Sequence, residues 1–216
     1  MAEPKGILVT DFDGTISRRD FYDLVRERWP VAPENDPWER YRSGEITHFA
    51  ALAEIFSRIR CSEAELLELV DSMDVFPDFA AAVQSLLERG WAVVVASAGC
   101  RWYIDYLLAK SGLNLTVHAN PGTFDPDLGL RMTLPEKSDF FDPATGVDKA
   151  GIVRDAIRRS GRVAFAGDGR PDLEPALLVP AERRFARGWL AAALADRKEG
   201  FTRFSSWSGI ADTLPF

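Results

Sequence analysis

The sequence predicts an α/β protein: a doubly wound parallel sheet, interrupted after its first strand by an inserted α-helical segment. Three observations carry this expectation. Continuous apolar runs at 7–10, 91–96 and 163–166 read as strands covered on both faces. Stretches of helical texture separate the strands, and strands separated by helices imply a parallel sheet with helices on both sides. Between Ser17 and about Phe76 no strong strand signal appears, so that stretch reads as a helical module set into the alternating pattern.

Taken in order, the first strand runs into Asp11-Phe12-Asp13-Gly14-Thr15. Residues 20–29 and about 47–72 then read as helical, with Ile46, Phe49, Leu52, Ile55 and Phe56 recurring at three- and four-residue steps. Ser62 is placed to cap a helix, with Glu65 in the reciprocal position. Residues 79–88 predict a helix ended by Gly90. The strand at 91–96 follows, then a helix at 103–110 and a short strand at 115–118. Residues 119–147 are rich in Pro, Gly and Asp, with a hairpin expected over 122–134. Asp148 caps a helix reaching Arg159. The strand at 163–166, a last strand at 184–186 and a helix at 189–198 complete the chain. The expected division is a core of residues 1–16 and 77–216 around a helical insert of residues 17–76.

The composition is that of a globular protein of 216 residues, 46% hydrophobic and 27% charged. Its 26 basic and 33 acidic side chains give a formal charge of -7, and no Lys/Arg block favours nucleic acid or an anionic membrane. The longest apolar stretches are too short to span a bilayer, and Met1-Ala2-Glu3-Pro4-Lys5 shows no apolar signal segment. Cys61 and Cys100 are too few for a disulfide framework and lack zinc-ligand spacing. The expectation is a soluble, cytoplasmic protein.

The chemistry concentrates where strands end. Asp11 and Asp13, two apart, share one face of the extended chain while Phe12 turns back into packing. Two carboxylates held so close repel unless a cation or a proton lies between them, which points to a hard-metal site. Ser97-Ala98-Gly99 follows the second strand and offers a hydroxyl and backbone N–H groups to phosphate oxygens. Lys149 supplies a candidate cation at a helix start. After 163–166 comes Gly167-Asp168-Gly169-Arg170-Pro171-Asp172. Asp168 is the natural third acid for the metal, while Asp172 either ligates it, orients a bound water or caps its helix. Each motif alone reads equally as an ordinary turn; four in this order, three of them directly after apolar runs, do not.

With these residues quoted, the chain resembles the haloacid dehalogenase superfamily phosphatases. DFDGT matches the first family motif, the serine of VVVASAG the second, the lysine of VDKAG the third and GDGRPD the fourth. The helical insert resembles the cap of the phosphoserine-phosphatase-like branch. Within it, HANPGTFDPDLGL and the segment from Arg183 to Trp207 look most similar to the 2-hydroxy-3-keto-5-methylthiopentenyl-1-phosphate phosphatases of methionine salvage. Those relatives often carry paired cysteines before the motif-three lysine, where this chain has Phe140-Phe141-Asp142-Pro143-Ala144-Thr145-Gly146.

The resemblance implies a Rossmann-like core and a phosphomonoesterase acting on a small phosphorylated metabolite. Asp11 would be the nucleophile and Asp13 the acid and base. Mg²⁺ would be held by Asp11, the Asp13 carbonyl and Asp168, with Ser97, Ala98 and Lys149 on the phosphate. Asp20 stands where phosphoserine phosphatases carry a substrate-sensing acid one methylene longer, or else caps the helix beginning there. Phe21, Tyr22, Trp29, Trp38, Tyr41, Phe49 and Phe56 are either leaving-group contacts or the insert's own core. His48 and His118 receive no role, and Cys100 reads as packing. Phosphoserine phosphatase is the alternative activity. A signalling receiver domain and a catalytically silent phospho-ligand binder are the alternatives of other kinds.

Overall fold

The computed structural model describes residues 4–214; Met1, Ala2 and Glu3 of the segment expected to lack a signal lie outside the described residues, as do Pro215 and Phe216. Ten strands are β1 Gly6–Thr10, β2 Trp91–Cys100, β3 Thr116–Asn120, β4 Gly122–Asp125, β5 Gly129–Met132, β6 Phe141–Asp142, β7 Gly146–Val147, β8 Val163–Gly167, β9 Arg184–Ala186 and β10 Thr202–Arg203. Ten α-helices are α1 Phe21–Arg28, α2 Pro37–Arg42, α3 His48–Phe56, α4 Glu63–Asp71, α5 Phe79–Glu88, α6 Arg101–Lys110, α7 Lys149–Arg159, α8 Leu173–Leu177, α9 Gly188–Asp196 and α10 Trp207–Thr213.

Six of the strands form one parallel sheet in the order β10-β9-β8-β1-β2-β3. The alternation of side chains on β1 shows why both faces must be covered. Ile7 and Val9 join one apolar cluster with Val94, Val163 and Phe165, while Leu8 joins the other with Val93, Val95 and Ala164. Because β1 lies between β2 and β8, the chain leaves it with neighbours on both sides. The crevice at the carboxyl ends of these three strands is the place where such sheets bind ligands.

Between Ser17 and Phe76 the regular elements among the described residues are helices joined by turns, apart from a single bridge pairing Ser17 with Val75. The helical texture expected over about 47–72 is two helices, α3 and α4, the second starting after Ser62 as expected. Ser62 interrupts it: its hydroxyl accepts the Glu65 N–H while the Glu65 carboxylate accepts the Ser62 N–H at 2.8 Å, the expected reciprocal cap. That local bonding competes with continuing the helix through 57–62. The insert is not insulated from the core. Phe21 packs on Phe56 and Tyr103 with ring centroids 5.1 and 4.6 Å apart, and Phe49 donates its N–H to the Ala144 carbonyl at 2.9 Å.

Arg184–Ala186 is not the last strand. β10 adds a two-residue parallel edge, and α10 follows with Ser206 accepting the Gly209 N–H. Two residues are too short to show any hydrophobic period. β2 runs past Ala96 to Cys100, but its register with β3 shifts between those residues. Ser97, Ala98 and Gly99 therefore lie in an irregular stretch rather than in a turn after the strand. The hairpin expected over 122–134 is β4–β5, and the Asp148 cap forms, accepting the Gly151 N–H at 2.7 Å. Both cysteines are unpaired. No helix among the described residues is long and apolar enough to cross a membrane.

Candidate active site

Three adjacent central strands deliver the motifs to one place: Asp11 and Asp13 after β1, Ser97 within β2, Asp168 after β8. Lys149 joins them from the first residue of α7. All of these, with Ala98 and Asp20, line one cavity of about 320 Å³. Asp172, fully buried, stands behind them.

Lys149 is the electrostatic centre. Only 4% exposed, its ammonium donates to Asp11 Oδ1 and Asp172 Oδ1, both at 2.7 Å. Burial alone would lower its pKa, but the two carboxylates outweigh that and raise it, so the lysine stays charged. Asp172 spends its other oxygen on the backbone, accepting the N–H groups of Asp168 (3.1 Å) and Gly169 (2.8 Å). It does not cap α8 with its side chain. Of the three roles open from sequence, the structure adds a fourth: Asp172 folds the Asp168 loop and holds the lysine.

Among the described residues, the Asp11 carboxylate accepts a hydrogen bond from Lys149 alone. Burial first, and then the charge of Asp172, push its carboxyl well above the ordinary range despite the lysine. Asp168 is pushed to about 7, again by burial and then by Asp172, although Thr15 Oγ1 donates to it at 3.0 Å. Ligand atoms of Asp11, Asp168 and Asp172 lie within 4.8 Å of one another. Two buried carboxylates and the partly buried Asp168 around one ammonium make a cluster whose charge a divalent cation would balance, and oxygen-only donors suit a hard ion.

Asp13 is built differently. Its Oδ1 accepts the Phe21 N–H at 3.0 Å and its Oδ2 accepts the Tyr103 hydroxyl at 2.8 Å. Burial raises its pKa, and those two donors restrain the rise. The first N–H of α1 is thus taken by Asp13 rather than Asp20, whose side chain makes no capping bond. Asp20 instead turns toward Asp168, and burial and then Asp168 raise its pKa to about 8. The loop geometry needs Gly14: its φ is +68°, and a Cβ there would collide with Asp168 Oδ2 and crowd Asp20 Oδ1. Gly99 is fixed by space rather than conformation. A Cβ would strike the Tyr103 hydroxyl and come within 2.7 Å of Asp13 Oδ2, which shows how closely β2 approaches the first loop.

Several residues in or around this site gave no sequence signal. Tyr103 read only as part of a helix. Asn120, fully buried, donates to the Ala98 carbonyl (2.8 Å) and the Thr145 carbonyl (3.0 Å), tying the Ser97 segment to the loop ahead of Lys149. Trp207 Nε1 donates to the Thr15 carbonyl at 3.1 Å from α10. His48, given no role above, lines the cavity. Of the insert's aromatic residues, Tyr22, Trp38, Tyr41 and Phe56 line it too, whereas Phe21, Trp29 and Phe49 do not. His118 packs edge-on against Phe140 and stays out of the site.

A family model described as haloacid dehalogenase-like hydrolase matches residues 8–177. A phosphoserine phosphatase of Archaeoglobus fulgidus is 29% identical over 174 residues, which is 78% of this chain and 48% of that protein. One from Vibrio cholerae is 26% identical over 111 residues, 50% of this chain and 34% of its own length. The chain therefore spans half or less of the curated relatives it matches. Among solved structures, a substrate-bound phosphoserine phosphatase superposes with a TM-score of 0.67 at 15% identity, covering 100% of both chains. A HAD family hydrolase from Salmonella enterica gives 0.70 at 18% identity, over 94% of this chain and 67% of that one. At such identities the likeness concerns the fold, and it is the fold expected from the alternating strands and helices. The family match runs from β1 to the end of α8 and so takes in every loop that meets at Lys149: the chain belongs to the haloacid dehalogenase-like hydrolases.

Proposed function

We propose that the protein is a Mg²⁺-dependent phosphomonoesterase that works through an aspartyl-phosphate on Asp11. The observation that carries this reading is the inequality of two neighbouring carboxylates. Asp11 faces the cavity beside the Lys149 ammonium, while Asp13 is held by a hydroxyl and a backbone N–H. One is arranged to attack and the other to carry a proton.

In the first step an Asp11 oxygen bonds to phosphorus as the bond to the leaving oxygen breaks, and that oxygen takes the proton of Asp13. In the second, Asp13 removes a proton from water, the water oxygen bonds to phosphorus, and the electron pair of the phosphorus–Asp11 bond returns to the carboxylate. Lys149 offsets the repulsion between carboxylate and phosphate, and Ser97 with the Ala98 N–H orients the phosphoryl oxygens. Asp11, the Asp13 carbonyl and Asp168 would hold Mg²⁺, which when bound would neutralise charge at the phosphoryl group. Asp13 needs its own proton for this chemistry, which a receiver domain or a silent binder would not.

Residues 17–76 act as a cap that covers the phosphate site and reads the leaving group. The segments His118–Leu130 and 183–207 favour a methionine-salvage substrate, 2-hydroxy-3-keto-5-methylthiopentenyl-1-phosphate. Phosphoserine is the second reading, supported by Asp20 in the cavity lining and by the names of the relatives. Two unpaired cysteines fit a reducing compartment, the cytoplasm. The test is phosphate release from simple monoesters with and without chelator. Metal-dependent release, lost in Asp11→Asn, is expected; undiminished release by that variant ends the nucleophile assignment.

A further inference from the structure

The cavity has a second part that phosphoryl transfer does not use. Tyr22 stacks on Trp38 at 4.1 Å, Trp38 meets Tyr41 at 5.0 Å, and His48 stands edge-on to both Trp38 (5.5 Å) and Tyr41 (5.1 Å). Leu52 and Phe56 continue this wall. His48 Nδ1 is sealed from solvent without a hydrogen-bond partner, and neither of its ring nitrogens bonds to any described residue. Buried polar atoms are almost always satisfied, so the sealed Nδ1 is unusual, and Nε2, the nitrogen that is not sealed, is the one a ligand in the cavity can reach. Burial, and then the charge of Lys149, hold the imidazole down at about 4, so it is neutral near pH 7.

Three charged side chains line the same cavity outside the cluster at Lys149, and none of them belongs to this ring wall. Arg42 pairs with Glu39 at 3.2 Å, Arg170 lies 5.0 Å from the centre of the Trp189 ring, and Asp20 turns toward Asp168. A zwitterionic leaving group would meet uncharged rings along this wall and lose its hydration without replacement.

We propose that the Tyr22–Trp38–Tyr41–His48 wall is the leaving-group subsite, that it takes an uncharged leaving alcohol with a flat apolar body, and that His48 supplies a hydrogen bond to a hydroxyl or carbonyl on it. This rests on the phosphomonoesterase reading and narrows its substrate class. His48 is a specificity residue here, with no part in the bonds that form or break.

The experiment compares kcat and KM for benzyl phosphate, its ring-hydroxylated forms and O-phosphoserine in the wild-type chain, His48→Phe and His48→Gln. Benzyl phosphates should exceed phosphoserine in kcat/KM by about tenfold or more, and the best hydroxylated form should gain about tenfold over the parent. His48→Phe should cancel that hydroxyl gain by raising KM with kcat nearly constant, and His48→Gln should restore most of it. A preference for phosphoserine, or equal losses of kcat on every substrate in both variants, overturns the proposal. No hydrolysis of any monoester overturns instead the phosphatase reading beneath it. The wild-type panel decides the apolar preference even where a variant fails to fold.

Discussion

At the carboxyl ends of β1, β2 and β8, Asp11, Asp13, Asp168 and Asp172 crowd around one ammonium; along α1–α3 the same cavity offers Tyr22, Trp38, Tyr41 and a neutral His48. The first region is costly to assemble. Like charges are buried together, and each carboxylate is positioned by a donor from a different segment. The second assembles itself, because its rings pack on one another before any ligand arrives. On the proposed reading the difference divides the labour: the charged region would suit any phosphoryl group, whereas the aromatic one would select what the phosphoryl group is attached to.

Variants on the two sides should therefore fail in different ways. The largest effect is expected from Asp11→Asn, a loss of kcat of about 10³-fold or more with the fold retained; steady-state phosphate release together with circular dichroism checks both halves. Lys149→Met should destabilise the protein by about 3–5 kcal/mol, because it leaves Asp11 and Asp172 buried without their counter-charge. Urea unfolding would show it, and an unchanged midpoint would mean that the lysine is not the keystone described. Adding Mg²⁺ at about 100 times its Kd should stabilise the wild-type chain by about 2.7 kcal/mol. A thermal melt should record that gain in Tyr41→Phe but not in Asp168→Asn; its survival in both would remove Asp168 from the metal site.

Smaller effects test the supports. Asn120→Ala removes donors to the Ala98 and Thr145 carbonyls and should cost about 1–3 kcal/mol. If the Ser97 segment is held by this side chain, KM should rise as well, a change that loss of stability alone would not produce. Least of all, Ser62→Ala should cost about 1 kcal/mol through its lost cap, with kcat and KM untouched. A kinetic change there would show that α4 is coupled to the site.

The same contrast explains what the sequence could reveal. The charged region was legible because three of its four motifs follow apolar runs directly, and strand ends of a doubly wound sheet have one destination. Asp11, Asp13, Ser97, Lys149 and Asp168 all line the one cavity. The aromatic wall was not legible in the same way. Helical spacing tells that Tyr22, Trp38, Phe49 and Phe56 share a module, but tertiary packing decides that Phe49 turns away while Trp38 lines the cavity. A lone histidine carries no spacing at all, so His48 was invisible. Asn120 lay within a Pro-, Gly- and Asp-rich stretch where its bonds to two distant carbonyls leave no local trace. Tyr103 was masked by an ordinary helical pattern, and β10 by its brevity. For Asp172 three roles were open from its position, and its carboxylate makes bonds that only the folded loop creates.

The bridge between Ser17 and Val75 has a practical consequence. It brings the outgoing and returning chain side by side, and Phe76, just beyond, is flanked by the guanidinium groups of Arg18 at 5.0 Å and Arg187 at 5.3 Å. On the proposed division of the chain such a junction should permit exchange, a foreign helical insert being spliced between these two points without rethreading the sheet. Any graft must keep apolar feet like Phe21 and Phe56, which seat on Tyr103, or the hydroxyl that steadies Asp13 loses its backing.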